Sequence, residues 1–239
     1  MISYINSRTN QKVVHASKLK DKKAVKEFQE FLIEGKKALE LALEAGLVEA
    51  VFTLKELDIP ENIPQYIVNE EIIDKISFSQ NPEGVVAVVQ TLAEKSPAKM
   101  DKVVYLDNIQ DPGNMGTIIR TALALNYDAI ILSENCVSIY NPKVVSATKG
   151  AMFLIPIFSG NILDFKKGRT VIVSTLNEKS ISLDDLEKPE SFILVLGNEA
   201  HGVSEEIIAN SDVFVKIPIA NIDSLNVAVA GAIMMYHLK

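Results

Sequence analysis

Apolar positions along the chain follow two different rhythms. In the first ninety residues, helical and strand periods alternate across short connections. Residues 12–26 read as a helix and residues 28–34 as extended. Residues 36–45 read as a second helix with Gly46 as its stop, and residues 48–53 as a strand. A short strand at residues 67–68 and a helix at 70–76 follow. The run GVVAVVQ at residues 84–90 has the continuous apolar character of a buried strand and closes this unit. The polar stretch TLAEKSPAKMD, with Pro97, then leads into KVVYLD, so a domain boundary is expected near residues 91–101.

The second half repeats strand and helix more regularly. Strands are expected at residues 102–106, 129–132, 170–174, 192–196 and 213–217, and helices at 114–125, 142–148, 183–187, 205–210 and 225–237. Runs such as FILVLG are apolar without alternation, which predicts strands covered on both faces and a mostly parallel sheet. The expected class is therefore α/β: a small α/β unit over residues 1–95, then a mostly parallel sheet domain over residues 100–239.

Composition narrows the function classes. With 239 residues, 48% of them hydrophobic and 23% charged, the chain is long enough to bury a substantial core, which excludes disordered and fibrous readings. A lone Cys136 cannot form an internal disulfide. His15, His201 and His237 have no partners at ligand spacing, so no metal site is expected. The N-terminus lacks the apolar core of a signal peptide, and the charge-poor stretch at residues 224–238 is too short to span a bilayer; a cytoplasmic protein without membrane association is expected. The net charge of −7 is unevenly spread: residues 1–40 hold nine Lys or Arg against five acids, a balance of +4, leaving −11 for the remainder. That asymmetry fits a front that meets a polyanion, and equally a solvated helical face.

In open parallel sheets, ligands gather beyond the carboxyl ends of strands. Three such segments carry polar and small residues where the chain leaves a strand for a helix: DNIQDPGNMGTIIRTALAL, GNEAHGVS and PIANIDSLNVAVAGA. The first opens a helix whose N-terminal amides suit an anion. Arg120 lies one turn beyond Gly116, so its guanidinium could extend back toward the loop at Asn114; a capped core helix with a surface arginine fits the same text. In the second, Gly197 permits close backbone approach by a ligand, and Glu199 is either a site carboxylate or one that satisfies loop amides. In the third, Ser224 suits a helix N-cap, and the helix that follows is apolar nearly all round, as for a subunit interface or a deep core element. No G-x-G-x-x-G, G-x-x-x-x-G-K-[ST] or G-x-S-x-G is present, which removes support for dinucleotide enzymes, NTPases and α/β hydrolases.

Taken together, NIQDPGNMGTIIRTA, LVLGNEAHGVS and VKIPIANIDSLNVAVA resemble the three motifs of the SpoU/TrmH-type RNA ribose 2′-O-methyltransferases of the SPOUT superfamily, over the C-terminal 140 residues. The first 90 residues, with the opening ISYINSRTNQKV, are similar to the small RNA-binding domain that precedes this catalytic domain in many members. The resemblance implies a trefoil knot, a homodimer with the site near the interface, and S-adenosylmethionine as methyl donor, cradled around Thr175, Leu176, Gly197, Ile217 and Leu225. Carried over position by position, the catalytic group is Arg120, Asn114, Glu199, Ser224 and Asn226. The implied substrate is RNA rather than DNA, since the reacting 2′-hydroxyl is absent from DNA. The extra N-terminal domain favours ribosomal RNA over transfer RNA, with an inert RNA-binding or ribosome assembly factor as the rival.

Overall fold

The computed structural model describes residues 1–93 and 100–239; Pro97 and the centre of the boundary expected at residues 91–101 lie outside the described residues. Two compact units result. Residues 1–93 together with 140–153 form one, and the remaining described residues form the other.

The first unit runs β1 (Ile2–Ile5), α1 (Gln11–Lys18), α2 (Lys22–Phe28), β2 (Glu30–Glu34), α3 (Lys36–Glu44), β3 (Val48–Thr53), β4 (Gln65–Val68), α4 (Glu70–Ile76) and β5 (Val85–Gln90). Its sheet has the order β1-β4-β3-β5-β2, with β1, β4 and β3 mutually parallel and β5 antiparallel to both its neighbours. Val13, Ala16, Ile72 and Ile73 pack with Phe52 and Val86 in one buried cluster. The single helix expected over residues 12–26 is two helices, because the Asp21 carboxylate accepts from the backbone N–H of Lys23 at 2.7 Å and starts a new helix. The strand expected from residue 28 begins at Glu30, after Gln29 closes α2 in the left-handed region at φ 55°. β1 escaped the sequence pattern: it is a four-residue edge strand with only Ile5 buried.

The second stretch of chain runs β6 (Lys102–Leu106), α5 (Pro112–Ala124), β7 (Ala129–Leu132), α6 (Pro142–Thr148), β8 (Ile157–Ser159), α7 (Ile162–Phe165), β9 (Thr170–Ser174), β10 (Ile181–Ser182), β11 (Phe192–Leu196), α8 (Glu205–Ala209), β12 (Val213–Lys216) and α9 (Val227–His237). Its seven-stranded sheet, ordered β10-β12-β9-β11-β6-β7-β8, is parallel at every pairing. All five residues of β11 are fully buried, as its unbroken apolar run requires of a strand covered on both faces. The helix expected at residues 183–187 is only a 3-10 turn at Leu183–Asp185. α6 packs within the first unit: Val144, Val145 and Thr148 are buried, and the Phe31 ring lies 4.9 Å from Tyr140 and 6.3 Å from Phe153. A parallel sheet sends the carboxyl ends of β6, β9, β11 and β12 to one edge, and the loops that leave them build the site.

Candidate active site

Each helix that frames the site starts on a side chain suited to the task. Asp111 caps α5 by accepting from the backbone N–H of Asn114 at 2.8 Å, and Pro112 occupies the first turn, where its missing N–H is not needed. α9 is capped by Asn226 rather than by Ser224: the Asn226 Oδ1 accepts from the N–H groups of Ala228 at 2.9 Å and Val229 at 3.3 Å. Ser224 is instead exposed in the preceding loop, where it lines the cavity described below.

Hydrogen-bond chemistry sets the order of the polar group. Glu199 offers only acceptors, so its Oε1 takes the Asn114 Nδ2 at 2.8 Å. The Asn114 Oδ1 is left facing Asn226, which donates its own Nδ2 at 2.9 Å. The Asn226 oxygen then meets the free amides at the start of α9. Three motifs up to 112 residues apart are thus joined in a one-way chain, carboxylate to amide to amide to helix terminus. Reversing any member breaks the chain. Asn226→Asp should retain the cap of α9 and its thermal stability but lose the bond to Asn114, whereas Asn226→Ala should also lose about 1 kcal/mol of stability; thermal melts of the two variants separate these effects.

Beside this chain lies a cavity of about 610 Å³, within the roughly 300–1,000 Å³ of small-molecule sites. Thr175, Leu176, Gly197, Ile217 and Leu225 all line it, together with Glu199, Ser224 and Asn226. Leu176, Ile217, Leu225 and Met234 offer apolar surface to a flat base, while Ser174, Thr175, Asn198 and the strand-end backbone offer polar partners. That mixture fits a nucleoside carrying an amino-acid tail. Sequence reasoning passed over Ser174 and Lys216, the last residues of β9 and β12; the strand-end rule would have found both.

Two expectations change. Gly197 does border the cavity, but the space above its Cα is taken by the protein itself: an added Cβ would lie 2.5 Å from the carbonyl carbon of Gly202 and 2.6 Å from Val203 Cγ2. The close approach is made by the returning loop rather than by a ligand. Arg120 stands apart from the polar chain. Six residues at about 100° each carry it some 120° round α5 from Asn114, and it is exposed, with no hydrogen bond or ion pair among the described residues and no place in the cavity lining.

Other reactive groups are excluded by their surroundings. Burial pushes the Cys136 thiol up, against the opposing pull of hydrogen bonds from Ser133 and nearby backbone, so it is a poor nucleophile. Among the described residues no His, Cys, Asp and Glu gather to hold a metal ion, and no helix is long and apolar enough to cross a membrane.

Residues 101–236 match the model of the SpoU rRNA Methylase family, and residues 10–87 match that of the MRM3-like substrate binding domain. Over 98% of both chains, the protein is 34% identical to the 23S rRNA (guanosine(2553)-2′-O)-methyltransferase RlmP of Bacillus subtilis. It is 30% identical to an uncharacterized tRNA/rRNA methyltransferase of Synechocystis, over 100% of this chain and 94% of that one. The crystal structure of an AdoMet-bound rRNA methyltransferase from Sinorhizobium meliloti superposes with a TM-score of 0.90 at 30% identity, covering 99% of this chain and 97% of the other. With its strand-end cavity, its one-way polar chain and these matches over its whole length, the chain belongs to the SpoU rRNA methylase family.

Proposed function

We infer that the protein transfers a methyl group from S-adenosylmethionine to a ribose 2′-hydroxyl of RNA, and that its substrate is ribosomal RNA. The observation that carries this reading is the cavity at the strand ends with the Glu199–Asn114–Asn226 chain at its rim. The Bacillus relative bears the name of a 23S rRNA 2′-O-methyltransferase, and the Sinorhizobium structure holds AdoMet. Bound S-adenosylmethionine supplies a methyl group on a positively charged sulfur. Thr175, Leu176, Gly197, Ile217 and Leu225, which line the cavity, hold the donor, and the trefoil knot that the family resemblance implies is part of the same proposal. Asn114, Glu199 and Asn226 orient the ribose, and Ser224 shapes the same pocket. A guanidinium offers only donors and no acceptor, so the role of Arg120 is to bind the neighbouring RNA phosphate and stabilise the developing oxyanion, with the proton lost to that phosphate or to water. Purified protein, labelled donor, and unmodified ribosomal and transfer RNA test the assignment. Label at a 2′-oxygen of ribosomal RNA is expected, label confined to transfer RNA would shift the substrate, and label in neither would reject the activity.

The RNA-binding role of residues 1–95, the catalytic role of residues 100–239 and a cytoplasmic setting are parts of the same proposal. Lys12, Lys18, Lys20, Lys22, Lys23 and Lys26 are exposed on or beside α1 and α2, where they meet a phosphate backbone. Replacing Lys22, Lys23 and Lys26 by alanine should weaken RNA binding and flatten its salt dependence, by about 0.7–0.9 in the log–log slope for each phosphate that is no longer neutralised. Filter binding across a salt series measures this.

A homodimer completes the proposal. α9 buries Ala228, Gly231, Met234 and Met235 but turns Val229, Ile233 and Tyr236 outward, at 49%, 40% and 62% exposure. These three lie at helical spacing on one face, an apolar stripe suited to a second copy of the chain. α5 packs beside α9, so the same association gives Arg120 a setting that one chain does not provide. Ile233→Asp is expected to yield a monomer by light scattering and to lose most methyl transfer; a fully active monomer would separate the dimer from the chemistry.

A further inference from the structure

Among the described residues, Asp107 is the only buried carboxylate, at 2% exposure, and the chemistry above does not use it. It follows β6 directly, and both of its oxygens are occupied. Oδ1 accepts from the Asn108 Nδ2 at 2.9 Å, and Oδ2 accepts from the backbone N–H of Ser204 at 2.7 Å. Asn108, held in the left-handed region at φ 57°, donates its backbone N–H to the Ser133 hydroxyl at 2.9 Å. Its carbonyl accepts from the Asn198 Nδ2 at 2.8 Å. The other side of the Asn198 amide accepts from the N–H groups of Ala200 at 2.9 Å and His201 at 3.1 Å. Asn198 and Gly202 also exchange two backbone bonds, each 2.9 Å. Glu199 rides on the turn at residues 198–202, which is tied down before it through Asn198 and Asn108, and after it through Ser204.

A carboxylate removed from water must be matched by donors, and here one donor, the Ser204 N–H, follows the turn, while the other, the Asn108 side chain, belongs to the residue whose carbonyl holds Asn198 at the start of the turn. We propose that Asp107 is a positioning residue for methyl transfer, fixing the place of Glu199 through Asn108, Asn198 and Ser204. The proposal rests on the reading of Glu199 as part of the active site. Sub-ångström placement of a site group is enough to govern rate without governing affinity.

The test uses the full-length protein with unmodified ribosomal RNA, in single-turnover methyl transfer, with donor affinity measured separately by calorimetry. Asp107→Asn replaces one acceptor with a donor, and Asn198→Ala leaves the buried carboxylate intact, so it decides the question if the first variant fails to fold. Each should slow the transfer step about 10- to 100-fold at saturating S-adenosylmethionine, and for Asp107→Asn, whose residue lies outside the cavity lining, the dissociation constant for the donor should stay within about threefold. Combined with Glu199→Gln, neither should slow it further, since both act through that side chain. Wild-type rates in the folded variants, or losses that multiply with Glu199→Gln, would overturn the positioning role alone. A fully active Glu199→Gln would remove the active-site reading and this inference with it.

Discussion

Arg120→Ala is expected to abolish methyl transfer while the affinity for S-adenosylmethionine stays within a few-fold and the melting temperature does not move. Each half of that expectation has its own cause. Arg120 is exposed and has no partner among the described residues, so removing it takes away no packing and no internal bond; such surface changes stay within about 0.5 kcal/mol. It does not line the cavity, so the donor keeps its surroundings. On the proposed role, what disappears is a charged, forked donor to the RNA, and removing one such group from a developing oxyanion costs about 10²–10³ in rate. Arg120→Lys keeps the charge without the two-pronged geometry and should recover only part of the activity. Rate, calorimetry and a thermal melt on the same preparation check the prediction, and equal activity in Arg120→Ala would reject the role.

How far the sequence discloses this site depends on the kind of signal involved. Continuous apolar runs identified β7 and β11, which are covered on both faces and buried at every position, and the apolar centres of β6, β9 and β12. β8 and β10, at three and two residues, are too short to carry a period, as is the four-residue α7. Cap chemistry is legible only to within a residue or two. Ser224 and Asn226 are both good caps, and which one closes α9 is decided by the second bond that Asn226 makes to Asn114, a partner 112 residues away. The meeting of Asn114 with Glu199 came from motif resemblance, since helical spacing cannot report on a partner 85 residues distant. At Arg120 helical spacing was read through Gly116, toward the loop at Asn114; counted from Asn114 itself, six residues carry the side chain some 120° round α5, and the chain of bonds closes without it. The basic bias of residues 1–40 was visible at once, yet α6 joining the same unit was not. Val144 and Val145 are buried, α6 packs against β2, and the Phe31 ring of that strand meets those of Tyr140 and Phe153, a long-range assembly that no local pattern reveals.

The second large effect is expected at Gly197, where one added carbon atom should disable the site. An alanine Cβ there would sit 2.5 Å from the Gly202 carbonyl carbon, 2.6 Å from its oxygen and 2.6 Å from Val203 Cγ2. Two of those three atoms are backbone, so no rotamer change relieves the clash and the returning strand of the turn has to move. Movement there breaks the paired bonds between Asn198 and Gly202 and shifts Glu199 away from Asn114. Overpacking of this kind costs about 1–3 kcal/mol of stability. The same displacement reshapes the cavity wall, so donor affinity should fall at least about tenfold and methyl transfer should become undetectable. Gly202→Asn makes the informative contrast five residues on. Gly202 has φ 70°, which asparagine tolerates better than most residues, and an added Cβ there meets nothing within 4 Å. Gly202 also borders the cavity, so the contrast is read in stability: that variant should melt close to the wild type, since nothing is overpacked, whereas Gly197→Ala should not. Thermal melts of both proteins, with calorimetry on Gly197→Ala, decide the matter: native affinity in Gly197→Ala would mean that the packing of this turn does not shape the cofactor site, and the geometric account of Gly197 would have to be abandoned.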